Sequence, residues 1–173
     1  MGTATVTKSW AGAIEVLQSQ AASIRATLHR NVDDLTHAES LHSPQPGGNC
    51  LNWVIGHLDQ VNEQMLGLLG QSAVLGATAL ARYQRGTPEL QDAGEALPLE
   101  KLMSVWDEQW ARIDKGLAEL TAEKLETPVP HSPRGKADET VGSLLATLLF
   151  HQAYHAGQTG LLRRIAGHEG AIR

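Results

Sequence analysis

Residues 144–162 read LLATLLFHQAYHAGQTGLL. At about 100° per residue, Leu144, Leu148, His151, His155, Gln158 and Leu162 fall on one stripe of a helix. The leucines turn that stripe to a core, and the two histidines go with them. Residues four apart sit one turn apart, with Cβ atoms about 5–6 Å from each other. Two imidazoles so placed can reach one ion at about 2.0–2.1 Å. Without a metal they would need hydrogen-bond partners, and this stripe offers few polar groups.

This helix is predicted to start near Asp138, a plausible N-cap, and to end at Gly167. Three other segments show the same periodicity. In the first, Trp10, Ile14, Leu17, Ala21, Ile24, Leu28, Val32 and Leu35 recur at heptad-like spacing. It stops at Ser43-Pro44-Gln45-Pro46-Gly47-Gly48, which cannot continue a helix. The second is predicted from an Asn49 N-cap to about Gly70, with Leu51, Val54, Leu58, Val61, Met65 and Leu68 on its apolar side. The third runs from Leu99 to Leu120 through Leu102, Trp106, Gln109, Ile113 and Leu117. Between the second and third, Gln71 to Pro98 is weakly periodic and reads as a long crossover with a short helix at Ala77 to Tyr83. Thr127 to Lys136, with Pro128, Pro130 and Pro133, is irregular. Four amphipathic helices joined this way predict an all-α four-helix bundle with a long crossover between helices two and three, as one domain over residues 1–173.

Composition narrows the function. Hydrophobic residues make up 42% and charged residues 19% of the 173, which excludes a disordered chain. The net charge of −5 lacks the basic footprint of a nucleic-acid binder. No run reaches the ~18 apolar residues of a membrane span, and Met1 to Trp10 lacks the apolar core of a secretory signal. Cys50 stands alone, so no intrachain disulfide forms; that fits a reducing, cytoplasmic setting. Nucleotide-binding and serine-hydrolase motifs are missing. His-Gln-Ala-Tyr-His also lacks the glutamate of an H-E-x-x-H metalloprotease.

His57 completes the candidate site. It shares an apolar face of the second helix with Trp53, Val54, Val61, Gln64 and Leu68. A lone histidine there is more often a satisfied core residue than a ligand. Set against His151 and His155 in a bundle core, it makes a His₃ set with the fourth position open, the pattern of a catalytic metal site. Cys50 lies two turns earlier, roughly 10 Å away by helical rise, and reads as a small buried apolar residue. His29, His37, His42, His131 and His168 fall at helix ends or in loops and read as solvated.

The stretch from Pro44 to Asn49 and Asn52-Trp53-Val54-Ile55-Gly56-His57-Leu58 resembles the second-helix motif of the DinB/YfiT-like superfamily. His151-Gln152-Ala153-Tyr154-His155-Ala156-Gly157-Gln158, with Leu161-Leu162-Arg163-Arg164, resembles its fourth-helix motif. The resemblance implies an up-down-down-up bundle and a divalent metal, usually zinc or nickel, on His57, His151 and His155. It implies a homodimer and, in characterised branches, transferases or isomerases that use a low-molecular-weight thiol. Other branches carry a metal-dependent hydrolase label.

Three readings follow: a thiol-dependent transferase with the thiol on the metal; a hydrolase using metal-activated water; and a non-catalytic metal-binding stress-response protein. The hydrolase needs a base or proton shuttle, and no Asp or Glu shares the histidine stripes. A small-molecule pocket is predicted along Trp53, Gln64, Tyr154 and Gln158, with Arg82 and Arg85 of the crossover able to meet a carboxylate. Trp10, Trp106 and Trp110 are more wide aromatics than a small bundle usually needs. Core filling accounts for them first, and helical dimer faces second.

Overall fold

The computed structural model describes Trp10, residues 12–90 and residues 92–172. The segment before Trp10, on which the expectation of no secretory signal rests, lies outside the described residues. The described chain is all-helical, with α1 Ala13–Val32, α2 His37–Ser40, α3 Leu51–Leu68, α4 Leu99–Ala118, α5 Ala122–Glu126 and α6 Val141–Ile165. Among these residues the only β pairing is an isolated bridge between Pro128 and Thr140. Among the described residues no helix is long and apolar enough to cross a membrane.

The four periodic segments become the four long helices. α3 packs against α4 and α6, and α1 packs against the same two. The α1 stripe buries Leu17, Ala21, Ile24, Leu28 and Val32. The α4 stripe buries Leu102, Trp106, Trp110, Ile113 and Leu117. α3 is the most enclosed: every residue from Leu51 to Asp59 is buried, because α4, α6 and the crossover cover it on three sides. Trp106 and Trp110 are fully buried, so these aromatics fill the core and present no dimer face.

Buried amides fix the register. Gln152 Nε2 on α6 donates to the Leu58 carbonyl at 3.1 Å and to Asn62 Oδ1 at 2.8 Å. Gln109 Nε2 on α4 donates to the Asp59 carbonyl at 3.0 Å and to Glu63 at 2.8 Å. Asn31 Nδ2 on α1 donates to the Ala156 carbonyl and to Thr159 Oγ1. Each bond satisfies groups that would otherwise be costly to bury, and each demands one alignment of the helices.

Several predicted boundaries shift. Trp10 precedes α1, where its indole donates to Glu126. α1 stops at Val32, and Leu35 is buried beyond it. The cap of α3 is Cys50, whose carbonyl accepts the Val54 N–H; it makes no side-chain cap bond. α6 starts at Val141, not near Asp138. Pairing of Val129 with Glu139 and of Val141 with Thr127 keeps the chain extended up to Thr140, which then forms a reciprocal capping box with Ser143. The crossover helix shrinks to a 3-10 turn at Ala81–Tyr83, followed by another at Ala93–Glu95.

Three of the histidines predicted to be solvated have structural partners. Leu99 N donates to His37 Nδ1, and His168 Nε2 meets Glu39 at 3.0 Å. His29 bridges α1 and α4, with Nδ1 2.8 Å from Asp33 and Nε2 2.8 Å from Asp107. Partial burial opposes its charge, but the bonds to Asp33 and Asp107 prevail and raise its pKa above 6.5. A raised folded-state pKa gives stability that is complete below the unfolded value of 6.5 and is lost as pH rises through the folded value. Replacing His29 with Gln is therefore expected to cost about 1 kcal/mol at pH 6 and little at pH 9. Paired urea titrations of both proteins at the two pH values measure it.

Candidate metal centre

The crossover builds one wall of the site. Tyr83 lies flat on α3 at Gly56, where a Cβ would come within 2.3 Å of the Tyr83 ring. The Tyr83 hydroxyl donates to Asn52 Oδ1 at 3.1 Å and accepts the Leu97 N–H at 2.7 Å. Asn52 Nδ2 returns a bond to the Leu97 carbonyl, and Trp53 Nε1 donates to Thr87. Arg82 is spent on this same clasp, binding Glu95 and the carbonyls of Pro88 and Glu89. It is therefore an anchor, not the free cation the sequence reading makes it.

So held, the Tyr83 carbonyl sits 3.0 Å from His57 Nδ1. A carbonyl only accepts, so Nδ1 carries the proton and the Nε2 lone pair points inward. Trp53 stacks on the His57 ring at 5.0 Å and 18° between planes. From α6, His155 Nδ1 donates to Gln158 Oε1 at 2.7 Å, which leaves its Nε2 free in the same way. His57 Nε2 and His151 Nε2 lie 3.2 Å apart. Among the described residues, the three histidines form a cluster whose ligand atoms all lie within 4.8 Å of one another.

These residues fit a metal ion. Two ligands at about 2.05 Å in tetrahedral geometry stand about 3.3 Å apart, close to the His57–His151 separation. Carbonyl and amide partners on Nδ1 are the usual outer support of a ligating imidazole. His151 Nδ1 is buried and has no partner, so this ring is the least fixed of the three.

Protonation agrees. Burial lowers the pKa of all three imidazoles, opposed at His57 by the Tyr83 bond and at His155 by the Gln158 bond. His151 falls to about 4 through burial, then the charges of His155, His57 and Arg85. Neutral imidazoles are the metal-binding form, so the site is ready at neutral pH.

The predicted pocket residues divide. Trp53 and Gln158 touch the triad as supports. Tyr154 packs edge-on to His155 at 5.1 Å and is largely exposed. Gln64 is exposed, and no bond or ring contact ties it to the three histidines. Cys50 is buried, as predicted, and burial pushes its thiol up.

Sequence reading misses the Tyr83 carbonyl, because a backbone acceptor leaves no trace in residue type. Gly56 is the one available signal: a glycine inside an apolar helix marks a close approach. Arg85, which the sequence reading sets at the ligand side with Arg82, is exposed, and its charge acts on His57 and His151. Gly56→Ala is expected to displace Tyr83 and cost about 1–3 kcal/mol. Losing the His57 support should also weaken metal binding about 10–100-fold. Denaturant melts and a zinc competition titration check the two effects.

Comparison with known proteins agrees with this fold. A crystal structure of a conserved protein from Enterococcus faecalis superposes with a TM-score of 0.67 at 14% identity, covering 88% of this chain and 95% of that one. At that identity the likeness concerns the fold alone. No curated protein matches the chain significantly. The sequence profile of the DinB superfamily matches residues 8–159, which include all three histidines of the cluster; the chain belongs to the DinB superfamily.

Proposed function

We propose that this chain is a metal-dependent enzyme acting on small molecules, a thiol-dependent transferase whose four long helices form an up-down-down-up bundle around a zinc or nickel site. One observation carries the reading. Three neutral imidazoles converge, two with their lone pairs fixed inward, and no fourth protein ligand joins them among the described residues. Such a set leaves a position for an exogenous ligand.

A divalent ion there supplies Lewis acidity that favours the deprotonated form of a bound thiol. The chain supplies orientation and field. Tyr83 and Gln158 hold two tautomers, and Trp53 limits rotation of the His57 ring. The positive charge of Arg85 acts on His57 and His151 from the crossover, which favours an anionic ligand. Among the described residues no carboxylate is hydrogen-bonded to any of the three rings. Hydrolysis would lack a general base in contact with the ligands, and this favours the thiol over water. Tyr154, with Gln64 farther along α3, forms the proposed substrate side. The single buried Cys50 fits a cytoplasmic protein.

Cobalt- or nickel-substituted protein tests the reading. Its d–d spectrum should shift when glutathione, mycothiol or bacillithiol is added. Spectra unmoved by all three remove the thiol reading and leave hydrolysis or a non-catalytic role. Arg85→Gln should weaken thiol binding about two- to fivefold, the worth of one exposed charge interaction, with unchanged metal content.

A further inference from the structure

A set of polar atoms on α3, α4 and α6 is buried with no hydrogen-bond partner among the described residues. It comprises both carboxyl oxygens of Asp59, Asn62 Nδ2, Gln109 Oε1, Gln152 Oε1 and the indole nitrogens of Trp106 and Trp110. All six side chains are 0% exposed. The fold brings them to one region of the bundle. Gln152 from α6 and Gln109 from α4 reach the carbonyls of Leu58 and Asp59, consecutive residues of α3, at 3.1 and 3.0 Å. Asn62 follows one turn later and accepts from Gln152 at 2.8 Å. Trp106 and Trp110 flank Gln109 on α4 and pack edge to face. Buried polar groups are costly unless paired, so this set requires a partner.

Turning the amides over does not cure the deficit. Each glutamine nitrogen already spends both protons on acceptors. Gln152 gives them to the Leu58 carbonyl and Asn62 Oδ1, and Gln109 to the Asp59 carbonyl and the Glu63 carboxylate. A flipped amide would set its oxygen against a backbone carbonyl, which only accepts. The oxygen of each glutamine is therefore left over. Asn62 Oδ1 is held by Gln152, which leaves its nitrogen over as well. Pairing the leftovers with one another does not close the count either, because the four oxygens of Asp59, Gln109 and Gln152 stand against three nitrogens.

We infer that this polar centre is a binding site for ordered water, shared by α3, α4 and α6 and holding about two molecules. A water donates two hydrogen bonds and accepts up to two, so about two of them serve all the oxygens and all the nitrogens of the set. Other occupants fail on the same count. A cation would satisfy the oxygens and leave Asn62 Nδ2 and both indoles donating toward positive charge. An apolar guest would leave every group unmet. The number is also ordinary, since about one buried water per 27 residues gives roughly six for a chain of this length. Leu58 and Gln152 each follow a histidine of the cluster, so the waters brace the two helices that carry it. The inference rests on the fold and is independent of the metal reading.

A high-resolution crystal structure of the full chain tests it. Ordered waters should sit at about 2.7–3.2 Å from Asp59, and each should reach at least one further atom of the set. Water ¹⁷O magnetic relaxation dispersion on the same protein counts long-lived internal waters in solution. Folded Asp59→Leu should lose about two of them, because a leucine removes the oxygens that hold them. Where Asp59→Leu fails to fold, the crystal structure of the wild type decides alone. Asp59 bonded directly to Asn62 or to the tryptophans with no water between them overturns the inference. So does an ion against the Asp59 carboxyl, or an unchanged dispersion in folded Asp59→Leu.

Discussion

The hydrogen bond from His57 Nδ1 to the Tyr83 carbonyl is the constraint on which the site depends. It joins a residue deep in α3 to the 3-10 turn of the crossover. It also settles which nitrogen of His57 is free. Everything that holds Tyr83 in place therefore contributes to the candidate metal site. Gly56 opens the space, Asn52 and the Leu97 backbone grip the phenol, and Arg82 closes the segment onto Glu95. The long connection between α3 and α4 serves as the outer support of a ligand.

α6 contributes in another manner. Its two histidines come from local periodicity, one turn apart, and Gln158 fixes the second ring from within the same helix. The opposing supply of His57 needs α3 and α6 aligned to within a fraction of a turn. Gln152 provides that alignment, bonding the Leu58 carbonyl and Asn62 from the residue next to His151. Packing and ligation are thus set by neighbouring positions of one helix. α6 also carries no Asp, Glu, Lys or Arg from Val141 to Leu162, and its inner side holds both core leucines and two histidines of the cluster.

The long helices and the triad were legible in the sequence because both follow from periodicity. Leucine spacing marks α1, α3, α4 and α6, and the histidines ride on the same stripes. Boundaries were less legible. Asp138 looked like a cap, yet the pairing of Val129 with Glu139 carries extended chain past it to Thr140. The short helices α2 and α5 have too few residues for a period to show. His168 looked solvated because Glu39 comes from far along the chain, and His29 because Asp107, which ties it to α4, does too, although its other partner Asp33 is one turn away. Arg82 looked free because its partners, Glu95 and the carbonyls of Pro88 and Glu89, meet it only once the irregular crossover folds back on itself. Trp106 and Trp110 fill the core, the first of the two roles their number suggested, while most of the exposed large apolar groups are on α6, whose histidine stripe drew attention to its inner side alone.

The central claim is that His57, His151 and His155 together bind one divalent ion and leave a position open. X-ray absorption at the metal edge of zinc-loaded protein tests it most directly. The account predicts one ion per chain with three imidazole nitrogens at about 2.0–2.1 Å and one exchangeable oxygen ligand, and loss of that signature in His57→Ala. An unchanged spectrum and full occupancy in His57→Ala, or a coordination shell without imidazole, would contradict it.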